Sequence, residues 1–180
     1  MSTFHTELLF LATALAFALA GAVFDVRSRR IPNFITLPGI LFGLVLHFFL
    51  GGWHELGLSA IACLICGGIF LVFWLAGGMG AGDVKLIAAV GCIAGFYQIA
   101  WLLILTALAG GVMGVALALW RGRLKETFMN VGVIAVHHRT EGLTPHPNLN
   151  VANAWTIRLP YALAIAAGSA LTLCMLVVQR

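Results

Sequence analysis

Six long apolar runs dominate the chain, at residues 8–24, 34–50, 56–75, 86–96, 99–120 and 157–178, with polar turns between them. Runs of this kind mark membrane helices rather than the interior of a water-soluble domain. Five are long enough to cross a bilayer. The fourth, 86–96, is not: its residues rise about 16 Å, roughly half of a hydrocarbon core of about 30 Å. Either that helix begins inside the membrane plane, together with Asp83 and the glycines before it, or it is re-entrant. Both arrangements put Asp83 below the water interface.

Composition agrees with the pattern. Of 180 residues, 62% are hydrophobic and 9% charged, against about 25% charged in a soluble domain. The expected fold class is all-α: a polytopic membrane protein of about six transmembrane helices, forming a single integral-membrane domain over residues 1–180. Residues 1–7 contain no Lys or Arg, and run 8–24 leads directly into Asp25 and an arginine cluster. A retained first helix is therefore expected rather than a cleaved signal.

The excess of 10 Lys and Arg over 6 Asp and Glu sets orientation and does not point to nucleic acid. With the N-terminus outside, the cytoplasmic turns hold Arg27, Arg29, Arg30, Lys85, Arg121, Arg123, Lys125, Arg139 and Arg158, and only Arg180 stays outside. That asymmetry is the positive-inside pattern. It requires the fourth run to count as a crossing, and it places both termini on the outer side of a bacterial inner membrane. Residues 121–156 form a cytoplasmic loop, with 124–136 a candidate helix at the interface and a Pro- and Asn-containing second half.

Most remaining features read as packing or anchoring. Gly91 with Gly95, and Gly110 with Gly114, have the small-x-x-x-small spacing that lets helices approach closely. Cys63, Cys66, Cys92 and Cys174 lie in apolar runs and read as small packing residues. Trp53, Trp101, Trp120 and Trp155 read as interfacial anchors. His137, His138, Glu141 and His146 have no fixed spacing on a helix face, so no metal site is expected.

Chemistry is concentrated in two acids. Glu7, Glu55, Glu126 and Glu141 fall in termini or water-facing loops, whereas Asp25 ends the first helix and Asp83 opens the fourth. Both lie at the cytoplasmic end of their helices. An ionisable residue at membrane depth is a functional candidate by default. Two facing carboxylates share a proton, so one can take a proton from water while the other gives one to a carbonyl. The plainer alternative is that Asp83 caps its helix and Asp25 pairs with Arg29. Around Asp83 the stretch Gly77-Gly78-Met79-Gly80-Ala81-Gly82 fits neither a P-loop nor a dinucleotide loop. A narrow, flexible backbone beside a carboxylate would instead admit an extended peptide.

Gly80-Ala81-Gly82-Asp83-Val84-Lys85 resembles the G-x-G-D motif of intramembrane aspartic peptidases. Asp25-Val26-Arg27-Ser28-Arg29-Arg30-Ile31-Pro32-Asn33 resembles the other half of the prepilin-peptidase signature, and Arg158-Leu159-Pro160-Tyr161-Ala162 its last helix. The resemblance to the type IV prepilin peptidase family runs from the first helix to the last. It implies an endopeptidase that removes the leader from type IV prepilins and pseudopilins on the cytoplasmic face, with Asp25 and Asp83 as the catalytic pair and no metal or organic cofactor. Gly80, Gly82, Lys85, Arg29, Arg30, Pro32 and Asn33 are the accompanying substrate-binding or supporting candidates. Larger members add a domain with two C-x-x-C pairs and N-methylate the product; methyltransferase activity is not expected here. The compact length is similar to the TadV/CpaA branch, which implies Flp-type pilins as substrates and membrane lipid and Tad-type secretion machinery as partners. Two rivals remain: a non-catalytic assembly protein of a pilus or secretion system, and a small transporter using the aspartates as a proton relay.

Overall fold

The computed structural model describes residues 3–142, 144 and 160–179. Its elements are α1 (Thr3–Ser28), α2 (Asn33–Leu75), α3 (Ala81–Ala94), α4 (Ile99–Trp120), α5 (Leu124–Glu141) and α6 (Tyr161–Val178). The all-α expectation holds among the described residues, and α1, α2, α4 and α6 are each long and apolar enough to cross a membrane. Large apolar side chains point outward along them, among them Phe34, Phe49, Leu64, Leu108 and Val112. A water-solvated surface does not carry apolar exposure on that scale, and lipid tolerates it.

Two departures from the six expected runs concern α2 and α5. The second and third runs join in α2, which is interrupted at Gly52 (φ 73°, ψ −161°), a backbone region open essentially to glycine. Both limbs then pack on α3, in opposite directions. In limb 33–51, Gly39 lies against Ala89, Gly43 against Cys92 and Ile93, and His47 Nε2 donates to the Ile93 carbonyl (3.1 Å). In limb 53–75, Ser59 Oγ donates to the Cys92 carbonyl (2.7 Å), Ala62 and Cys66 flank Gly91, and Gly67 meets Ala88. The chain therefore folds back at Gly52. The second departure is α5, an 18-residue helix within the expected loop, longer than the 124–136 segment and packed only on α4 among the described helices. The Pro- and Asn-containing half of that loop, with Trp155, His146 and Arg158, lies outside the described residues.

Helix α3 is the centre of the bundle. It has 14 residues, about 21 Å at 1.5 Å per residue, and contacts α1, both limbs of α2, α4 and α6. From Leu86 to Ala94 all but the half-buried Ala88 are buried. Its short length is a consequence of position: a helix surrounded by others needs no lipid-matched span. Gly95 (φ 85°) ends it, with the His47 ring closed over the space a Cβ would take.

Small residues set close helix crossings; of the spaced glycines Gly91 does so, whereas Gly95 ends α3 and Gly110 makes only ordinary contact with Ala164. Gly91 faces Cys66, and Gly168 of α6 packs on Thr106 of α4 so closely that a Cβ would stand 2.6 Å from the Thr106 backbone nitrogen. The four cysteines are free thiols; Cys66 and Cys92 are buried in the packing, and Cys174 is exposed.

Candidate active site

Asp25 sits in the last turn of α1, whose end is fixed locally. Arg29 N–H donates to the Asp25 carbonyl (2.8 Å), and Arg29 adopts φ 52°, the left-handed conformation that stops a helix. Ile31 then turns inward and is buried, and Pro32, in extended conformation (φ −74°, ψ 146°), precedes the first residue of α2. Proline suits that place, since its ring presets the backbone and it has no N–H to leave unpaired.

Asp83 is in the first turn of α3. The helix begins at Ala81 with Gly80 as its N-cap, so Asp83 caps it from the third position of a capping box and not from the N-cap itself. A glycine cap has no side chain to bond the first turn, so Asp83 reaches back instead: its Oδ2 accepts the Gly80 N–H (3.3 Å). Its other oxygen, Oδ1, is buried with no hydrogen-bond partner among the described residues, and the residue as a whole is 8% exposed. One oxygen is thus held and the other is free.

Antiparallel packing of α1 on α3, with Gly21 against Leu86, brings the two acids together. Asp25, Arg29, Arg30 and Ile31 form one wall of an open cavity of about 300 Å³, and Gly80, Ala81, Gly82 and Asp83 form the other. The carboxyls lie within range of each other's charge. Gly82 permits this close approach: a Cβ there would stand 3.1 Å from the Ile31 Cβ, so Ile31 would have to give way. The alternative Asp25–Arg29 pairing is not formed: Arg29 lines the cavity, but no direct ion pair to Asp25 occurs among the described residues.

The remaining site candidates separate from the cavity. Pro32, Asn33 and Lys85 do not line it. Lys85 Nζ donates to Asn33 Oδ1 at 3.0 Å, so its ammonium steadies neither aspartate directly. Conversely, the start of α6 comes closer than the spacing of the acids indicated. The backbone at Ala162 lies within electrostatic reach of Asp25, and Tyr161 within that of Asp83. Pro160, fixing the start of an apolar helix, was the available signal, but proline alone does not say what that helix end faces.

Other titratable groups lie elsewhere. Glu7 and Glu55 line a second cavity with His47 at the far end of α3, beside Ala94 and Gly95. His137 and Glu141 approach each other on α5 (3.6 Å). No group of three His, Cys, Asp or Glu side chains is placed to hold a metal among the described residues.

The apolar helices define a multi-pass membrane protein with a pair of acids at the glycine-opened end of its central helix. The profile of the Type IV leader peptidase family matches residues 12–115, and the chain belongs to that family. It is 32% identical over 152 residues to a prepilin leader peptidase/N-methyltransferase of Aeromonas hydrophila, covering 78% of this chain and 46% of that protein. The protein of the same name from Aeromonas salmonicida (strain A449) is 31% identical over 152 residues, with the same coverage. That of Pseudomonas putida is 32% identical over 122 residues, 63% of this chain and 42% of that protein. The chain spans about half the length of the curated relatives it matches. No solved structure matches it.

Proposed function

We propose that this chain is a membrane aspartic endopeptidase that removes the leader peptide from type IV prepilins and pseudopilins, of the Flp type, at the cytoplasmic face of a bacterial inner membrane. The observation that carries the reading is the shared cavity of Asp25 and Asp83, in a chain of the leader peptidase family. The pair shares one proton. The ionised carboxylate draws a proton from water as the oxygen attacks the scissile carbonyl carbon. The protonated partner gives its proton to the carbonyl oxygen, forming a tetrahedral diol; the carboxyl that took the water's proton then passes it to the amide nitrogen, the C–N bond breaks to release the new amine, and a diol proton returns to the pair. The unpartnered Oδ1 of Asp83 is available for either role, while Oδ2 stays on the Gly80 amide and keeps the side chain oriented. The open cavity beside Gly80, Ala81 and Gly82 leaves room for an extended substrate segment.

In this reading the membrane is crossed six times. The two limbs of α2 count as separate crossings and α3 as the fourth, with both termini outside and residues 121–156 in the cytoplasm. The fold-back at Gly52 and the concentration of Lys and Arg at the aspartate end support that arrangement. The relatives' names also include N-methyltransferase; the proposal is confined to peptide hydrolysis, the chemistry that an acid pair performs.

The test is cleavage of a co-expressed Flp-type prepilin by the wild type and by Asp25→Asn and Asp83→Asn, with membrane levels checked by immunoblot. Both variants should accumulate normally and leave the leader uncut. Cleavage at the wild-type rate by either would remove that aspartate from the mechanism.

A further inference from the structure

The two cavity walls come from separate stretches of chain, and their spacing sets the distance between the carboxyls. Ile31 against Gly82 limits how closely they approach, but an apolar contact resists only compression. A directional tie lies immediately beyond it. Asn33 is two residues past Ile31, Lys85 is two residues past Asp83, and Lys85 Nζ donates to Asn33 Oδ1 at 3.0 Å.

We propose that the Lys85–Asn33 hydrogen bond is a clasp that positions Asp83 against Asp25, so that Lys85 and Asn33 are positioning residues governing the rate of the chemical step. The inference rests on the peptidase reading of the same site. Each partner anchors one wall. Asn33 is the first residue of α2, and Lys85 is in the first turns of α3. The bond fixes the helix starts relative to each other where the backbone on either side is least constrained: glycines at 80 and 82, and the left-handed Arg29 before Pro32. Its chemistry suits the place. A carboxylate at position 33 would hold the ammonium more strongly, but would add a third acid near the pair. The neutral amide orients Lys85 and leaves its positive charge in place. Both residues are exposed, so the bond lies at the rim, outside the volume a substrate would fill.

The opposing assignment is that Lys85 binds an acidic group of the substrate. The two assignments differ in which kinetic constant they move. With purified enzyme in detergent and a prepilin substrate, Lys85→Met and Asn33→Ala should each lower kcat about tenfold or more with little change in KM, as expected for losing a hydrogen bond to a charged group that acts only through geometry. The double variant should be no slower than the slower single, since both remove the same bond. Lys85→Arg, which keeps the donor, should retain most of the activity. A rise in KM with kcat preserved, or effects that multiply in the double variant, would overturn the clasp. Should the wild type leave the leader uncut in this assay, the peptidase reading falls by itself. The clasp is then judged on melting temperatures of the same four proteins, where non-additive losses sustain it and additive ones remove it.

Discussion

Ile31 lies directly against Gly82: a Cβ built on the glycine would stand 3.1 Å from the Ile31 Cβ and 3.4 Å from its Cγ1 and backbone nitrogen. This contact closes the floor between the two aspartate-bearing segments. Gly82→Ala inserts a methyl group more tightly against Ile31 than ordinary contact, so the two segments must shift by a few tenths of an ångström; overpacking of this kind costs about 1–3 kcal/mol. The expected result is a protein still present in the membrane, with a melting temperature lowered by a few degrees and leader cleavage reduced about tenfold, since a separation of the carboxyls acts directly on the reaction. Kinetics alongside thermal unfolding in detergent would check both parts.

Asp83 has two separable duties. Its Oδ2 accepts the Gly80 amide, and its Oδ1 is unpartnered. Asp83→Asn retains an oxygen acceptor for Gly80, so its melting temperature should stay near that of the wild type while cleavage is lost. Asp83→Ala removes the acceptor as well, and should be less stable than Asp83→Asn by about 1 kcal/mol. Equal melting temperatures for the two variants would show that the Gly80 bond contributes nothing to the start of α3.

The crossing of α4 and α6 makes a contrast between two glycines. Gly168 is pressed on the backbone of Thr106, whereas a Cβ on Gly111 would meet nothing within 4 Å. Gly168→Leu should force the helices apart and sharply lower the amount of folded protein. Gly111→Leu, facing outward on α4, should be tolerated, because leucine has a better helix propensity than glycine and lipid accommodates it. Immunoblots of membrane fractions and size-exclusion profiles would read the difference.

The proposed six-crossing topology predicts the sidedness of each turn. Alkaline phosphatase fused after Gly52 or after Phe96 should be exported and active. Fusions after Arg30 or Arg123 should be inactive, because those turns carry the Lys and Arg that the positive-inside pattern places in the cytoplasm. If α3 were re-entrant, the result after Phe96 and Arg123 would invert.

The sequence by itself determined the class of protein and singled out the two acids as candidates for its chemistry. Hydropathy is a local property, and a helix in lipid must be apolar along its length, so the runs marked the apolar helices, though not the joining of two runs in α2 or the more polar α5. The two acids stood out because charge is rare where water is excluded, and the residues around them matched one family. Tertiary structure decided the rest. Capping by Asp83 was one alternative in the sequence, but that Gly80 is the N-cap and Asp83 reaches back to it from the first turn appears only once the backbone is folded. Lys85 looked like a partner for an aspartate, since sequence distance made Asp83 its neighbour. Packing of α2 on α3 instead delivered Asn33, 52 positions away. Ala162 and Tyr161 reach the acids from the far end of the chain because α6 packs on α1 and α3. Such relations depend on which helices lie side by side, a choice made by small residues such as Gly82, Gly91 and Gly168 meeting particular partners, and hydropathy carries no record of those pairings.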